Sequence, residues 1–193
     1  CPLPADVQSQ VDRSEQFGRG KVNKVMQEPS KILYLDQEGG WGGSSKSLYY
    51  LVKRLDRSRY ETVVWHRKEG PIGKWYSAAK IRAEKNPKIL SIIPLINKNW
   101  RNILVTMPRF RHLPALLLQM KRESPDLIHY NYEGLLLVAF LFKLICKVPT
   151  VMHVRHRFPV CGIAAWVARR IAKNSDHLFF ITENERNRFG EVG

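Results

Sequence analysis

The residues of this sequence that could do chemistry fall in two places. The first is the loop Gly39-Gly40-Trp41-Gly42-Gly43-Ser44-Ser45, set between a short apolar run and a leucine-bearing segment. Glycines let a backbone approach a ligand closely, and a helix starting after them offers free N–H groups and a partial positive charge. Such a loop suits a phosphate or a sugar hydroxyl, with Gly42, Gly43 and Ser44 as the candidate binding residues. The second place is His153-Val154-Arg155-His156. Imidazoles titrate near neutral pH, so His153 and His156 are the candidates for acid–base work. The guanidinium of Arg155 can hold a phosphate bidentately. Asn131 and Glu133 follow another apolar run and can hydrogen-bond sugar hydroxyls. Glu133 also reads simply as an acid at a helix start.

These residues need elements to position them. Ile32 to Leu35 is a short apolar run bounded by Asp36 and glycines, which predicts a buried strand. Leu48, Leu51, Val52 and Leu55 then recur at helical spacing, with Ser44 or Ser45 available as a cap. The alternation continues. Strands are predicted at Tyr60–His66, Ile89–Ile93, Asp126–Tyr130, Thr150–Val154 and His177–Thr182. Helices are predicted at Lys74–Lys85, through most of 97–123 with Pro108 and Pro114 as starts or kinks, and at Gly134–Lys147, Val160–Lys173 and Glu183–Phe189. Alternating strands and helices imply a doubly wound parallel sheet, an α/β Rossmann-like fold with ligands beyond the C-terminal strand ends. Residues 1–30 lack hydrophobic periodicity and read as a flexible N-terminal tail, leaving 31–193 as the folded domain.

The chain has 193 residues, with 32 Lys and Arg against 17 Asp and Glu, a formal net charge of +15. Arg13, Arg19, Lys21 and Lys24 balance Asp6, Asp12, Glu15 and Glu28, so the excess belongs to residues 31–193. Residues 97–122 and 134–175 contain basic residues and no acid. This pattern suits phosphate-bearing ligands, anionic lipid heads or nucleic acid, or serves solubility alone. The segment Arg101–Arg122 mixes leucines with arginines and lysines, so it can lie on an anionic membrane surface or pack as a solvated helix over the core. Cys1, Cys146 and Cys161 give neither a disulfide framework nor close metal-ligand spacing. The longest apolar run, Leu135–Cys146, is too short to span a bilayer and reads as core. No charged-then-apolar leader is visible, and a cloned or gene-fragment start is expected from Cys1 in place of Met.

The glycine loop admits several readings. A Walker P-loop needs Gly directly before the Lys, and Ser45 precedes Lys46. A dinucleotide fingerprint needs a third glycine where Ser45 stands and an acid after the second strand, which ends in His66. A plain turn needing positive φ remains open. A fourth reading extends along the chain. The first strand followed by Gly-Gly-x-Gly-Gly-Ser-Ser-x-x-Leu resembles the N-terminal domain of GT-B glycosyltransferases of the family 4 type. Pro125-Asp126-Leu127-Ile128-His129, Val148-Pro149-Thr150-Val151-Met152-His153-Val154-Arg155 and Ser175-Asp176-His177 through Thr182-Glu183 resemble that family's later strands, in order and at its spacing. Arg155-His156 stands where many members have His-Gly, which leaves open which imidazole faces the acceptor.

The resemblance implies a function. The domain would be the acceptor-side half of a retaining glycosyltransferase that moves a sugar from a nucleotide-sugar to a glycan or lipid-linked acceptor. Gly42 and Gly43 would lie near the donor diphosphate or the acceptor. No metal or other cofactor is expected. The family's second, donor-binding domain and its E-x7-E motif are not found in these residues, so the fragment alone is expected to lack turnover. A cytoplasmic location is expected, with peripheral contact at the membrane face as an extension of it. The principal rival is a basic Rossmann-like module binding nucleic acid or an anionic membrane. No RRM, KH or helix-turn-helix signature supports nucleic acid. A nucleotide-dependent oxidoreductase is the weaker rival.

Overall fold

The structure is a computed structural model that describes residues 28–40, 42–92, 104, 107–155 and 163–190. The described strands are β1 (Ser30–Asp36), β2 (Tyr60–His66), β3 (Arg82–Lys85), β4 (Leu127–Tyr130), β5 (Thr150–Val154) and β6 (His177–Phe180). The described helices are α1 (Gly43–Lys53), α2 (Pro71–Ala78), α3 (Leu113–Glu123), α4 (Leu136–Ile145), α5 (Ile163–Ala172) and α6 (Glu183–Gly190). Short 3-10 turns at Met107–His112 and Glu133–Leu135 lead into α3 and α4. All six strands are parallel and lie in the order β3-β2-β1-β4-β5-β6. The order reverses between β1 and β4. That reversal opens a crevice at the C-terminal strand ends, where doubly wound sheets bind their ligands.

The apolar runs became strands for the expected reason. Strands buried on both faces need continuous hydrophobic residues, and Leu33, Leu35, Val63, Ile128 and Met152 are fully enclosed. The third strand departs from the expectation. Ile89–Ile93 is not a strand where it is described: Ile89, Leu90 and Ile92 fill the core from an irregular segment, and Ile92 N–H donates to the Gly134 carbonyl at 2.8 Å. β3 is instead Arg-Ala-Glu-Lys, from the stretch read as helix. As an edge strand it can carry charges, which also discourage further pairing. α2 starts on Pro71 and stops at Ala78, and Lys80 at φ 55° turns the chain into β3. Of the segment 97–123, the described part holds the 3-10 turn with Pro108 and α3 with Pro114 in its first turn. The segment 1–27 and residues 156–162 lie outside the described residues.

Side chains alternate across the pleat, and each face has its own core. Leu33, Leu35, Val63, Ile128, Tyr130 and Met152 pack on one face against Leu116 and Met120 of α3, Leu136 and Phe142 of α4, and Ala168 and Ala172 of α5. Ile32, Tyr34, Val64 and Ile81 pack on the other against Leu48 and Val52 of α1 and Ile72 and Tyr76 of α2. Among the described helices, α1 and α2 thus cover this second face only over β1 to β3. The registers Tyr34–His129, His129–Val151 and His153–Phe179 carry the same face on through β4, β5 and β6. There it is occupied by different chemistry.

Candidate functional site

Asp36 ends β1 with its side chain almost wholly enclosed, at 1% exposure. A buried carboxylate must be hydrogen-bonded to be tolerated. Ser45 Oγ donates to Oδ2 at 2.6 Å and Asn131 Nδ2 donates to Oδ1 at 3.2 Å. The Asn131 amide also donates to the Ser44 carbonyl at 3.3 Å, which ties the start of α1 to the end of β4. The serines therefore do not cap α1. Gly42 occupies the cap position without a side-chain bond, and Ser45 is drawn instead to the stronger, charged acceptor. The first intrahelical bond of α1 is Lys46 N–H to the Gly42 carbonyl, so the N–H groups of Gly43, Ser44 and Ser45 precede the helical ladder.

Arg155 joins this network from the end of β5. Its Nη2 donates to Asn131 Oδ1 at 2.6 Å and its Nε to the Asn131 carbonyl at 3.0 Å. Its backbone N–H donates to Glu133 Oε2 at 2.9 Å. Nη2 also approaches His153 Nδ1 at 3.2 Å. Arginine only donates, so His153 Nδ1 is the acceptor and a neutral ring carries its proton on Nε2. Burial, reinforced by the Arg155 charge, lowers the His153 pKa to about 4. His129, edge-on to His153 at 4.7 Å and to Tyr34 at 5.1 Å, is lowered to about 3 by burial and then by His153 and Arg155. Both imidazoles are neutral at pH 7. The row ends at Phe179, half exposed, which stands edge-on to His153 beside an open hollow of about 460 Å³ at the end of β6.

The glycines divide by role. Gly39 has φ 101°, and a Cβ there would lie 2.1 Å from the Lys68 carbonyl oxygen. A Cβ on Gly70 would meet the Gly39 carbonyl oxygen at the same 2.1 Å, so the two loops touch backbone to backbone. The turn reading of the glycine loop belongs to Gly39. At Gly43 a Cβ would meet nothing within 4 Å, and at Gly42 only Ser44 Oγ at 3.8 Å. Neither is required by the local packing.

Of the residues expected from sequence, Ser44, Asn131, Arg155 and His153 come together in one bonded group, with Gly42 and Gly43 at the adjoining helix start. His156 lies outside the described residues. Glu133 is buried and accepts the Arg155 N–H rather than standing at the surface. The sequence reading missed Asp36, Ser45 and His129. A signal for them exists: Tyr34 and Asp36, His129 and Asn131, and His153 and Arg155 are all i, i+2 pairs at strand ends, so each pair faces one way. Among the described residues no group of three His, Cys, Asp or Glu is placed to hold a metal ion.

The family model for Glycosyltransferase Family 4 matches residues 41–193, which is most of the chain. The chain belongs to glycosyltransferase family 4. No curated protein matches it by sequence. Among solved structures, Anabaena HepE in complex with UDP-glucose is similar at TM-score 0.60 and 21% identity, over 84% of this chain and 40% of HepE. The apo lipopolysaccharide outer core galactosyltransferase WaaB gives 0.56 and 15%, over 84% of this chain and 42% of WaaB. Acinetobacter baumannii MurG gives 0.54 and 12%, over 81% and 42%. At these identities the likeness is one of fold, and it matches the Rossmann-like parallel sheet described above. The family 4 chain spans about two fifths of the length of these proteins.

Proposed function

We propose that this domain is the acceptor-side half of a retaining GT-B glycosyltransferase, moving a sugar from a nucleotide-sugar to a glycan or lipid-linked acceptor. The observation that carries the reading is the Asp36–Asn131–Arg155 network at the switch point, beside the open start of α1, in a chain of family 4. Negative charge grows on the departing phosphate during sugar transfer. Fixed N–H groups and cations aimed at that charge supply the largest catalytic effect. The N–H groups of Gly43, Ser44 and Ser45 and the guanidinium of Arg155 are held in place for this by Asn131. No metal is called for, because these groups provide the positive charge. His153 is neutral and its Nδ1 is taken by Arg155, so it serves as an Nε2–H donor to a sugar hydroxyl or oxyanion, not as a proton shuttle. Asp36 holds the framework without touching substrate. The unencumbered Cβ positions at Gly42 and Gly43 leave room for the ligand itself.

In this reading the donor-binding half is supplied by polypeptide beyond these residues. The domain works at the cytoplasmic face of a membrane. Leu104, Met107 and Leu118 are about half exposed or more, amid Arg109, Arg111 and Lys121. By contrast, Leu113, Leu116 and Met120 of the same stretch face the core. No helix among the described residues is long and apolar enough to cross a membrane. The test is transfer and hydrolysis of nucleotide-sugars by the 193-residue chain and by the native polypeptide carrying it. Turnover by the native polypeptide alone is expected. Full transfer by the short chain contradicts the half-enzyme reading, and turnover by neither contradicts the transferase.

A further inference from the structure

α4 reads Leu-Leu-Val-Ala-Phe-Leu-Phe-Lys-Leu-Ile, apolar on every side but for Lys143. A helix of that composition is normally enclosed all round. Here only one side is. Leu136, Val138, Ala139 and Phe142 are buried against the sheet, whereas Leu144 is 67% exposed and Ile145 57%. Leu137, Phe140 and Leu141, one and two turns earlier, are half-buried. The single charge does not serve the outer side. Lys143 Nζ donates to the Asn174 carbonyl at 2.6 Å and pairs with Asp176 at 2.8 Å, which ties the end of α4 to the end of α5.

α5 extends the same surface. It packs on the same sheet face through Ala168 and Ala172 and touches α4, and its Trp166 is 57% exposed with Val167 beside it. On the other flank α4 touches α3, whose Leu118 is about half exposed. Three neighbouring helices thus turn apolar side chains outward. An exposed apolar patch that spans several elements marks an interaction surface. Its charge points to the partner. Lys147, Arg170 and Lys173 are exposed around the patch, and residues 134–175 contain no acid. The acids at its border, Asp176 and Glu123, are paired with Lys143 and Arg82. Apolar residues ringed by cations match a surface that is apolar within and anionic at its rim, which is the boundary of an anionic bilayer.

We propose that the outer face of α3, α4 and α5 docks on an anionic phospholipid bilayer, with Leu144, Ile145 and Trp166 in the interface and Lys147, Arg170 and Lys173 at the headgroups. The proposal rests on the membrane location given above and names the surface that serves it; it does not require sugar transfer. His129, His153 and Arg155 face the opposite side of the sheet, so docking leaves the crevice open.

The test is co-sedimentation of the native polypeptide with vesicles of phosphatidylcholine alone and of phosphatidylcholine with an equal part of phosphatidylglycerol. Binding is expected to the anionic vesicles only, and it weakens as salt rises. Leu144→Ser combined with Trp166→Ser weakens it at least tenfold. Lys147→Gln combined with Arg170→Gln does the same with the apolar residues intact. Tyr50→Ser with Leu51→Ser, at exposed residues of α1 on the other side of the sheet, leaves it unchanged. All these side chains are exposed, so each variant is expected to melt with the parent. Parent-level binding by Leu144→Ser with Trp166→Ser, or equal binding to both kinds of vesicle, overturns the proposal. A melting point well below the parent for that pair also overturns it, by showing that the native polypeptide covers this face itself. A concentration-dependent dimer without lipid, abolished by the same pair, assigns the face to a second copy and overturns it too. Sugar transfer to a soluble acceptor separates the two readings. Transfer without vesicle binding removes the membrane surface and leaves the transferase, and vesicle binding without transfer does the reverse.

Discussion

Over β1, β2 and β3, the sheet face under α1 and α2 is closed by Ile32, Tyr34, Val64, Ile81, Ile72 and Tyr76. Over β4 and β5 the same face, in continuous register, carries His129, Asn131, His153 and Arg155. Both halves use the same strand geometry and the same alternation. What differs is what the alternate positions are asked to do. Aliphatic and aromatic groups in the first half bury area at roughly 25 cal/mol per Å² and fix the fold. Asn131, His153 and Arg155 in the second half are held by one another and gain little net stability, since each hydrogen bond replaces one to water, while the buried ring nitrogens of His129 have no hydrogen-bond partner among the described residues. In the proposed reading, this face gives up apolar packing next to the switch point to leave room for a ligand.

Substitutions can break this contrast, beginning with the largest effect. Ile72→Ala, at a fully buried site of the apolar half, is expected to cost about 2–5 kcal/mol in denaturant unfolding, with no specific effect on ligand binding. Asp36→Ala, at the seam, strands the Ser45 hydroxyl and the Asn131 amide and is expected to cost about 1–3 kcal/mol for each unsatisfied group. Its larger signature is a loosened α1 start, read as faster amide exchange at Ser44 and Ser45. Gly39→Ala meets the Lys68 carbonyl and is expected to lower the melting temperature, whereas Gly43→Ala, with open space around it, leaves the melting temperature alone.

Acid sharpens the comparison further. An unfolded histidine titrates near pH 6.5, whereas in the fold His129 titrates at about 3 and His153 at about 4. The unfolded chain therefore takes up more protons below pH 6.5. Stability is present above that pH and falls as the pH drops toward 4, by about 1.4 kcal/mol per unit for each ring. His129→Phe keeps the edge-on packing and removes one of these protons, so its stability profile between pH 6.5 and 4 should be shallower by that amount. An unchanged slope would mean the ring is not buried neutral. The smallest effect belongs to the outer edge of the apolar half. Arg82→Gln, which breaks the 2.6 Å pair with Glu123, is expected to cost no more than about 1 kcal/mol.

How much of this was legible beforehand follows the same division. Strands β1, β2, β4 and β5 are legible because burial of the sheet interior demands apolar runs, and β6, an edge strand with alternate residues exposed, is legible from its Leu-Phe-Phe run. β3 is not, because an edge strand is free to be Arg-Ala-Glu-Lys, and the apolar Ile89–Ile92 nearby was core without being strand. In the site, His153, Arg155 and Asn131 were readable from their places after strands, and Gly42 to Ser44 from the loop. In the sequence, Asp36 reads only as a boundary residue. Its role depends on Ser45 and on Asn131, 95 positions away, and local pattern does not carry pairings at that distance. The division of labour among the glycines was hidden for the same reason, since Gly39 answers to Lys68 and Gly70 in another loop.

The most direct test of the account is kcat/KM for sugar transfer from a nucleotide-sugar by the native polypeptide carrying Asn131→Ala, measured beside Ile72→Ala. Asn131 joins Asp36, the Ser44 carbonyl and Arg155, so its loss frees the guanidinium and the α1 start together. The predicted result is a fall of about 100-fold or more with a smaller loss of stability than Ile72→Ala, in line with losing a preorganised cation. Transfer at the parent rate by Asn131→Ala would contradict the claim that this half of the sheet face is where the chemistry is done.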